Sequence, residues 1–153
     1  MRQAVKHDSR SCGACSLCCK LLPIAALEKP HDRWCLHCRP GRGGCAIYAA
    51  RPETCRDFDC LWLADPQVGE HWYPLNSKMV VQRTGGHDAR YDIFVDVHVD
   101  RGASEAWRAE PYYSELRRMA GAGRTLVRIF YGSRIWMMLP GGEVELKGAR
   151  APS

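Results

Sequence analysis

The chain has no cysteine after Cys60, no apolar run approaching the eighteen or more residues of a membrane span, and no internal repeat or low-complexity tract. These absences exclude a membrane-spanning helix and a repeat array. Enzyme signatures are missing as well: there is no G-x-G-x-x-G, no P-loop, no G-x-S-x-G elbow and no H-E-x-x-H. The stretch that follows Cys60, roughly ninety residues, leaves little room for a nucleotide-binding fold. No catalytic residue is assigned; without a recognisable catalytic motif the reading leans away from an enzyme and leaves the question open. The N-terminal "MRQAVKHDSRSC" is polar and has no apolar h-region, which argues against a secretory signal. The expected compartment is therefore the cytoplasm, where thiols stay reduced.

What is present is a folded composition. Hydrophobic residues make up 46% and charged residues 25% of 153, enough for one ordinary domain, or for one domain with a small appendage. The formal charge of +5 comes mostly from scattered arginines, so attraction to nucleic acid is only weakly supported. Each zinc held by four thiolates would carry about −2 net, so two loaded sites would cancel most of that excess.

All nine cysteines lie in the first sixty residues. "CGACSLCC" carries Cys12, Cys15, Cys18 and Cys19, and "WCLHCRPGRGGCAIYAARPETCRDFDC" carries Cys35, Cys38, Cys45, Cys55 and Cys60. A disulfide framework favours an even count in a secreted chain, and the adjacent pair Cys18–Cys19 cannot bond to itself without strain. Buried structural thiols explain one or two cysteines, not a cluster. Metal binding explains the pattern better. Two C-x2-C knuckles turn their sulfurs toward one ion. Cys15-x2-Cys18 with Cys35-x2-Cys38 leaves a gap of sixteen residues, and Cys12-x2-Cys15 with the same partner leaves nineteen. The run Cys12-x2-Cys15-x2-Cys18 equally matches the opening of a ferredoxin-type iron–sulfur site, with a fourth ligand from elsewhere. Cys19 would then serve a second centre or be shared. His37 is a substitute ligand, although a solvated loop histidine is the more economical reading.

The order of elements follows from periodicity and punctuation. Residues 1–64 form the cysteine-rich region, with loops over 28–34 and 39–44. Pro52 and Glu53 suit a helix start. On one continuous helix Cys55 and Cys60 would stand roughly 140° apart, so either the helix breaks between them or they serve different sites. Residues 65–77 connect. Residues 78–147 read as β-β-α-β-β, packed on the first region as one compact unit. Its strands are 78–84 and 91–100, the latter with Ile93, Val95, Val97 and Val99 on one face. A helix opens at Pro111 and stops at Gly121 or Gly123, and a hairpin turns at Gly132–Ser133. A short edge strand closes the set. The expected class is α+β: a metal-stapled N-terminal half followed by a small antiparallel sheet with one packed helix. His98, beside Asp96 and Asp100, is the one histidine–carboxylate group worth inspecting, and a solvent-facing strand explains it more simply.

At "CGACSLCC", "WCLHC" and "GCAIYAARPETCRDFDCLWL" the sequence resembles the YkgJ-type CxxCxxCC family of bacterial zinc- or iron-chelating cysteine-cluster proteins. The resemblance covers residues 12 to about 63. It implies that Cys12, Cys15, Cys18, Cys19, Cys35, Cys38, Cys45, Cys55 and Cys60 form the ligand pool. A related motif in flagellin lysine N-methylases, which are associated with an iron–sulfur cluster, tilts the expectation toward a [4Fe–4S] cluster over one or two Zn2+ ions. Around the ligands, Arg51 and Arg56 are placed to favour thiolates. Gly43 and Gly44 permit a sharp turn before Cys45, and Tyr48 and Phe58 are suited to shield the centre. Metal ions are the expected partners. Two alternatives stand beside a redox or metal-handling role. One is a structural zinc module that binds a protein or nucleic acid; the other is a small metalloenzyme or methylase-like accessory.

Overall fold

A computed structural model describes residues 10–39 and 44–148. The N-terminal segment 1–9 and most of the expected 39–44 loop, including Gly43, lie outside the described residues. The chain divides between Val80 and Val81 into two compact units.

The first unit is made of short pieces. Its helices are α1 (Leu17–Leu21), α2 (Glu53–Arg56), α3 (Leu61–Ala64) and α4 (Pro74–Ser77), and its strands are β1 (Cys38–Arg39) and β2 (Gly44–Cys45). Helices of four or five residues cannot hold themselves together, because nucleation costs more than so few hydrogen bonds return. Leu17, Leu21, Ile24, Leu61, Trp62, Trp72 and Met79 form a small apolar core, into which Cys35 and Cys60 are also buried. Arg10 ties the start of the cysteine run to this core. Its guanidinium lies 4.7 Å from the Trp62 ring centroid and donates to the carbonyls of Trp62 at 2.6 Å and Val68 at 2.7 Å.

The helix expected after Pro52 does break. Pro52 caps α2, the helix ends at Arg56, and Cys60 caps the next helix, α3. Glu53 sits in the first turn of α2 and Arg56 in its last, each matched to the local end of the dipole.

The second unit holds a five-stranded sheet in the order β3-β4-β5-β6-β7, with β3 (Met79–Asp88) running in from the unit boundary. The others are β4 (Tyr91–Val99), β5 (Thr125–Tyr131), β6 (Arg134–Leu139) and β7 (Gly142–Glu145), and helix α5 (Tyr112–Ala120) lies against β5 and β6. Val95, Val97 and Val99 are buried, as alternation along β4 requires, and meet Val127, Ile129, Trp136, Met138, Leu116 and Trp107 in one core. Ile93, expected on that face, is more exposed at the strand's start.

The class is α+β, but the sheet is mixed rather than antiparallel. β4 pairs with β5 in parallel, Val95 opposite Val127, whereas β5–β6 and β6–β7 are antiparallel. The physical reason lies between β4 and β5: residues 100–124 carry α5, and a connection of that length is a crossover, which returns the chain in the same direction. The Gly132–Ser133 turn joins Tyr131 to Arg134 as expected, with Gly132 at φ 56°. Asp96, His98 and Asp100 do not form a reactive group. Asp96 takes both bonds of the Arg128 guanidinium at 2.7 Å, His98 stacks on Phe130 at 4.9 Å, and Asp100 accepts from the Gly102 N–H. Among the described residues no helix is long and apolar enough to cross a membrane.

Candidate metal centre

The cysteines come from 12–19, from Cys35, Cys38 and Cys45, and from 55–60, and local hydrogen bonds fix several of their backbones. The turn Cys12–Cys15 closes with Cys15 N–H donating to the Cys12 carbonyl at 2.8 Å, and Cys35–Cys38 closes in the same way at 3.0 Å. Such i to i+3 turns put both sulfurs of a C-x2-C pair on one side. Gly13, at φ 54°, supplies the left-handed residue the first turn needs. Gly44, at φ 85°, performs the same service before Cys45, as expected from the sequence. Cys35 is fastened beside α1 by its N–H to the Cys19 carbonyl at 3.0 Å, and Cys38 stands directly opposite Cys45 in the β1–β2 pair.

Cys12, Cys15, Cys18, Cys55 and Cys60 line one pocket, together with Arg51, Phe58, Trp62, Leu63, Tyr73 and Pro74. The Tyr73 hydroxyl donates to the Cys12 carbonyl at 2.7 Å. Trp62, one of the walls, has a buried indole N–H with no acceptor among the described residues. A buried donor without a partner is costly, and it marks a place where an acceptor is missing.

The electrostatics of the thiols share one theme. Burial pushes Cys12 up, and the neighbouring Cys15, Asp59 and Cys19 add to it, while Arg51 pulls it down. Burial likewise raises Cys15 and Cys60, opposed by the N–H groups of Leu17 and Leu75 in one case and of Leu63 and Trp62 in the other. Cys19 is raised chiefly by its hydrogen bond with Cys18, then by burial. Cys38 is pushed up to about 11 by burial and by Cys19. Cys55 is raised by burial, then by Cys19, Cys35 and Cys45. Packed together, these sulfurs keep their protons unless a cation arrives to replace them.

The predicted supporting residues divide. Arg51 does pull the Cys12 and Cys55 thiols down. Tyr48 is 63% exposed and is not among the pocket-lining residues; its ring carries the Arg51 guanidinium at 3.6 Å. Phe58 takes the shielding place on the pocket wall. Arg56 is exposed at the end of α2. His37 is half-buried, and its carbonyl accepts from the Ala46 N–H at 2.7 Å across β1–β2.

Sequence reasoning missed Lys29, Trp62 and Tyr73. Lys29 is buried, and its ammonium donates to the carbonyls of Lys20 and Pro30 at 3.0 Å each and to that of Leu22. Burial lowers its pKa, while Cys35 and Cys19 hold it up. A fixed cation thus stands beside the thiols. The only sequence signal was a lysine in "EKP" between two apolar stretches, which is too common to single out.

The donor chemistry fits a thiophilic metal: thiols from separate segments, backbone N–H groups turned toward sulfur, and an orphaned indole donor. Among the described residues no three histidine, cysteine, aspartate or glutamate side chains already stand in position to hold one ion. No family model, curated protein or solved structure matches the chain.

Proposed function

We propose that this is a metal-binding protein whose clustered thiolates hold an iron–sulfur cluster, zinc, or both, in a redox or metal-handling role, as its resemblance to the YkgJ-type family implies. The observation that carries the reading is the convergence of Cys12, Cys15, Cys18, Cys55 and Cys60 on one pocket from segments far apart in sequence. Ordinary packing has no need to bring so many thiols to one cavity, whereas a cation does: it takes the place of their protons and holds the resulting thiolates together.

Arg51 and Lys29 offset the negative charge of a loaded site. When bound, a sulfur-bridged iron cluster would supply one-electron chemistry, and zinc would supply folding energy alone. The test is metal and acid-labile sulfide content of the full chain purified without oxygen. Brown protein containing iron and sulfide, or colourless protein containing zinc, supports the reading. A folded chain that carries no metal overturns it.

A second reading, a zinc-stapled interaction module, is favoured by one feature. Leu36, between Cys35 and Cys38, is 98% exposed, with Trp34 also exposed beside it. An apolar tip on a rigid knuckle suits a partner surface.

A further inference from the structure

We propose that Cys38 and Cys45 are an oxidant-sensitive pair: a small-molecule disulfide converts them to a disulfide across the β1–β2 hairpin, which withdraws two thiolates from the ligand pool. The cross-link stands on the hairpin alone; its effect on a metal rests on the metal-binding reading above.

Register carries the pairing. Cys38 lies directly opposite Cys45, and Arg39 opposite Gly44, in the antiparallel β1–β2 pair. One step outward, the Ala46 N–H donates to the His37 carbonyl at 2.7 Å. Hydrogen-bonded and non-hydrogen-bonded pairs alternate along an antiparallel ladder, so Cys38–Cys45, next to the bonded His37–Ala46, is of the non-hydrogen-bonded kind. Partners of that kind have α-carbons about 4.5 Å apart and side chains on one face. A disulfide spans about 4.4–6.8 Å between α-carbons, so the bond closes without sliding or separating the strands.

Access favours the same pair. Cys38 and Cys45 are half-buried, so a reagent reaches their sulfurs, whereas Cys35 and Cys60 are buried. Cys18 and Cys19, adjacent in sequence, would strain the peptide between them. The rivals for Cys38 are therefore Cys35, three residues earlier and buried, and Cys19 on α1, whose carbonyl accepts from the Cys35 N–H. Only Cys45 has its α-carbon held opposite that of Cys38 by a strand register.

The exchange balances in two steps. One thiolate of the pair attacks the reagent disulfide, whose S–S bond breaks to give a mixed disulfide and one reagent thiolate. The second thiolate attacks the protein sulfur of the mixed disulfide, forms the Cys38–Cys45 bond and expels the second reagent thiolate. The pair loses two electrons and the reagent gains them, with no net proton uptake. The thiolate is the form that ligates a metal, so a sulfur committed to a disulfide leaves the ligand pool.

The test incubates the full chain, purified without oxygen, with oxidised glutathione. The product is alkylated under denaturing conditions and digested, and linked peptides are fragmented to locate the bond. The result expected is a dominant Cys38–Cys45 link, two alkylatable thiols fewer than the nine of the chain, and metal released as the link forms. A dominant link elsewhere, such as Cys19–Cys38, Cys35–Cys38 or Cys12–Cys15, overturns the proposal, and so does a chain that forms no link. A Cys38–Cys45 link formed with all metal retained overturns the withdrawal of ligands. A chain that holds no metal as purified, yet forms the link, overturns the metal-binding reading and upholds the pair as a modification site.

Discussion

Replacing Lys29 by methionine keeps the aliphatic stem and removes the ammonium. Lys29 is only 7% exposed, and its ammonium bonds three main-chain carbonyls, those of Lys20, Leu22 and Pro30. Two of these belong to the C-terminal end of α1, where helix carbonyls have no partners of their own and the dipole favours a cation. Each buried carbonyl stripped of its donor costs about 1–3 kcal/mol. Partial rehydration and the added apolar burial of methionine offset part of that, leaving a net loss of about 3–5 kcal/mol. Since 1.4 kcal/mol is tenfold, amide exchange over residues 17–35 should accelerate on the order of a hundredfold or more in hydrogen-exchange mass spectrometry. The same change removes the cation beside Cys18, Cys19 and Cys35, so metal affinity should fall too. Exchange over 17–35 within threefold of the unmodified chain would refute the reasoning, because a buried ammonium holding three carbonyls cannot be removed without consequence.

Three further outcomes are expected. Exhaustive chelation of the reduced protein should abolish amide protection across residues 10–80, whose elements are too short to persist alone, and leave 81–148 protected; Cys15→Ser or Cys18→Ser should act in the same direction. Leu116→Ala, at a fully buried position in α5, should cost the sheet unit about 2–5 kcal/mol in urea denaturation without altering metal content. The Glu143 carboxyl is held below its ordinary value of 4.5, first by the Tyr113 hydroxyl and then, against the opposing effect of burial, by Arg108. A depressed folded-state pKa contributes stability above the ordinary value that is lost as pH falls through the depressed one, so acid melting curves should drop below about pH 4.5, and Tyr113→Phe should shrink that drop.

Local signals in the sequence translated well where one residue decides the geometry. Val95, Val97 and Val99 announced a half-buried strand, Pro111 and Gly121 bracketed α5, and the five-residue spacing of Cys55 and Cys60 named a helix break as one of two readings, the one found between α2 and α3. Non-local choices did not show. A helix between two strands was read, but not that it turns the link into a crossover, which made β4 and β5 parallel. The strand expected over 78–84 was to end before Gly85 and Gly86, yet β3 runs through them to Asp88. A Cβ on Gly86 would come within 2.4 Å of the Tyr91 carbonyl, so glycine serves there to admit a neighbouring backbone, not to bend the chain. For the candidate centre, the sequence supplied the thiols but left their partition open, because C-x2-C spacing alone pairs in more than one way. The structure brings Cys12, Cys15, Cys18, Cys55 and Cys60 to one pocket and sets Cys38 opposite Cys45.

X-ray absorption at the metal edge of the full chain, purified without oxygen, puts the question most directly. Thiolate ligation predicts a first shell made of sulfur, about four per metal at about 2.3 Å. A shell of oxygen and nitrogen, with sulfur absent, would contradict the assignment of these cysteines as ligands.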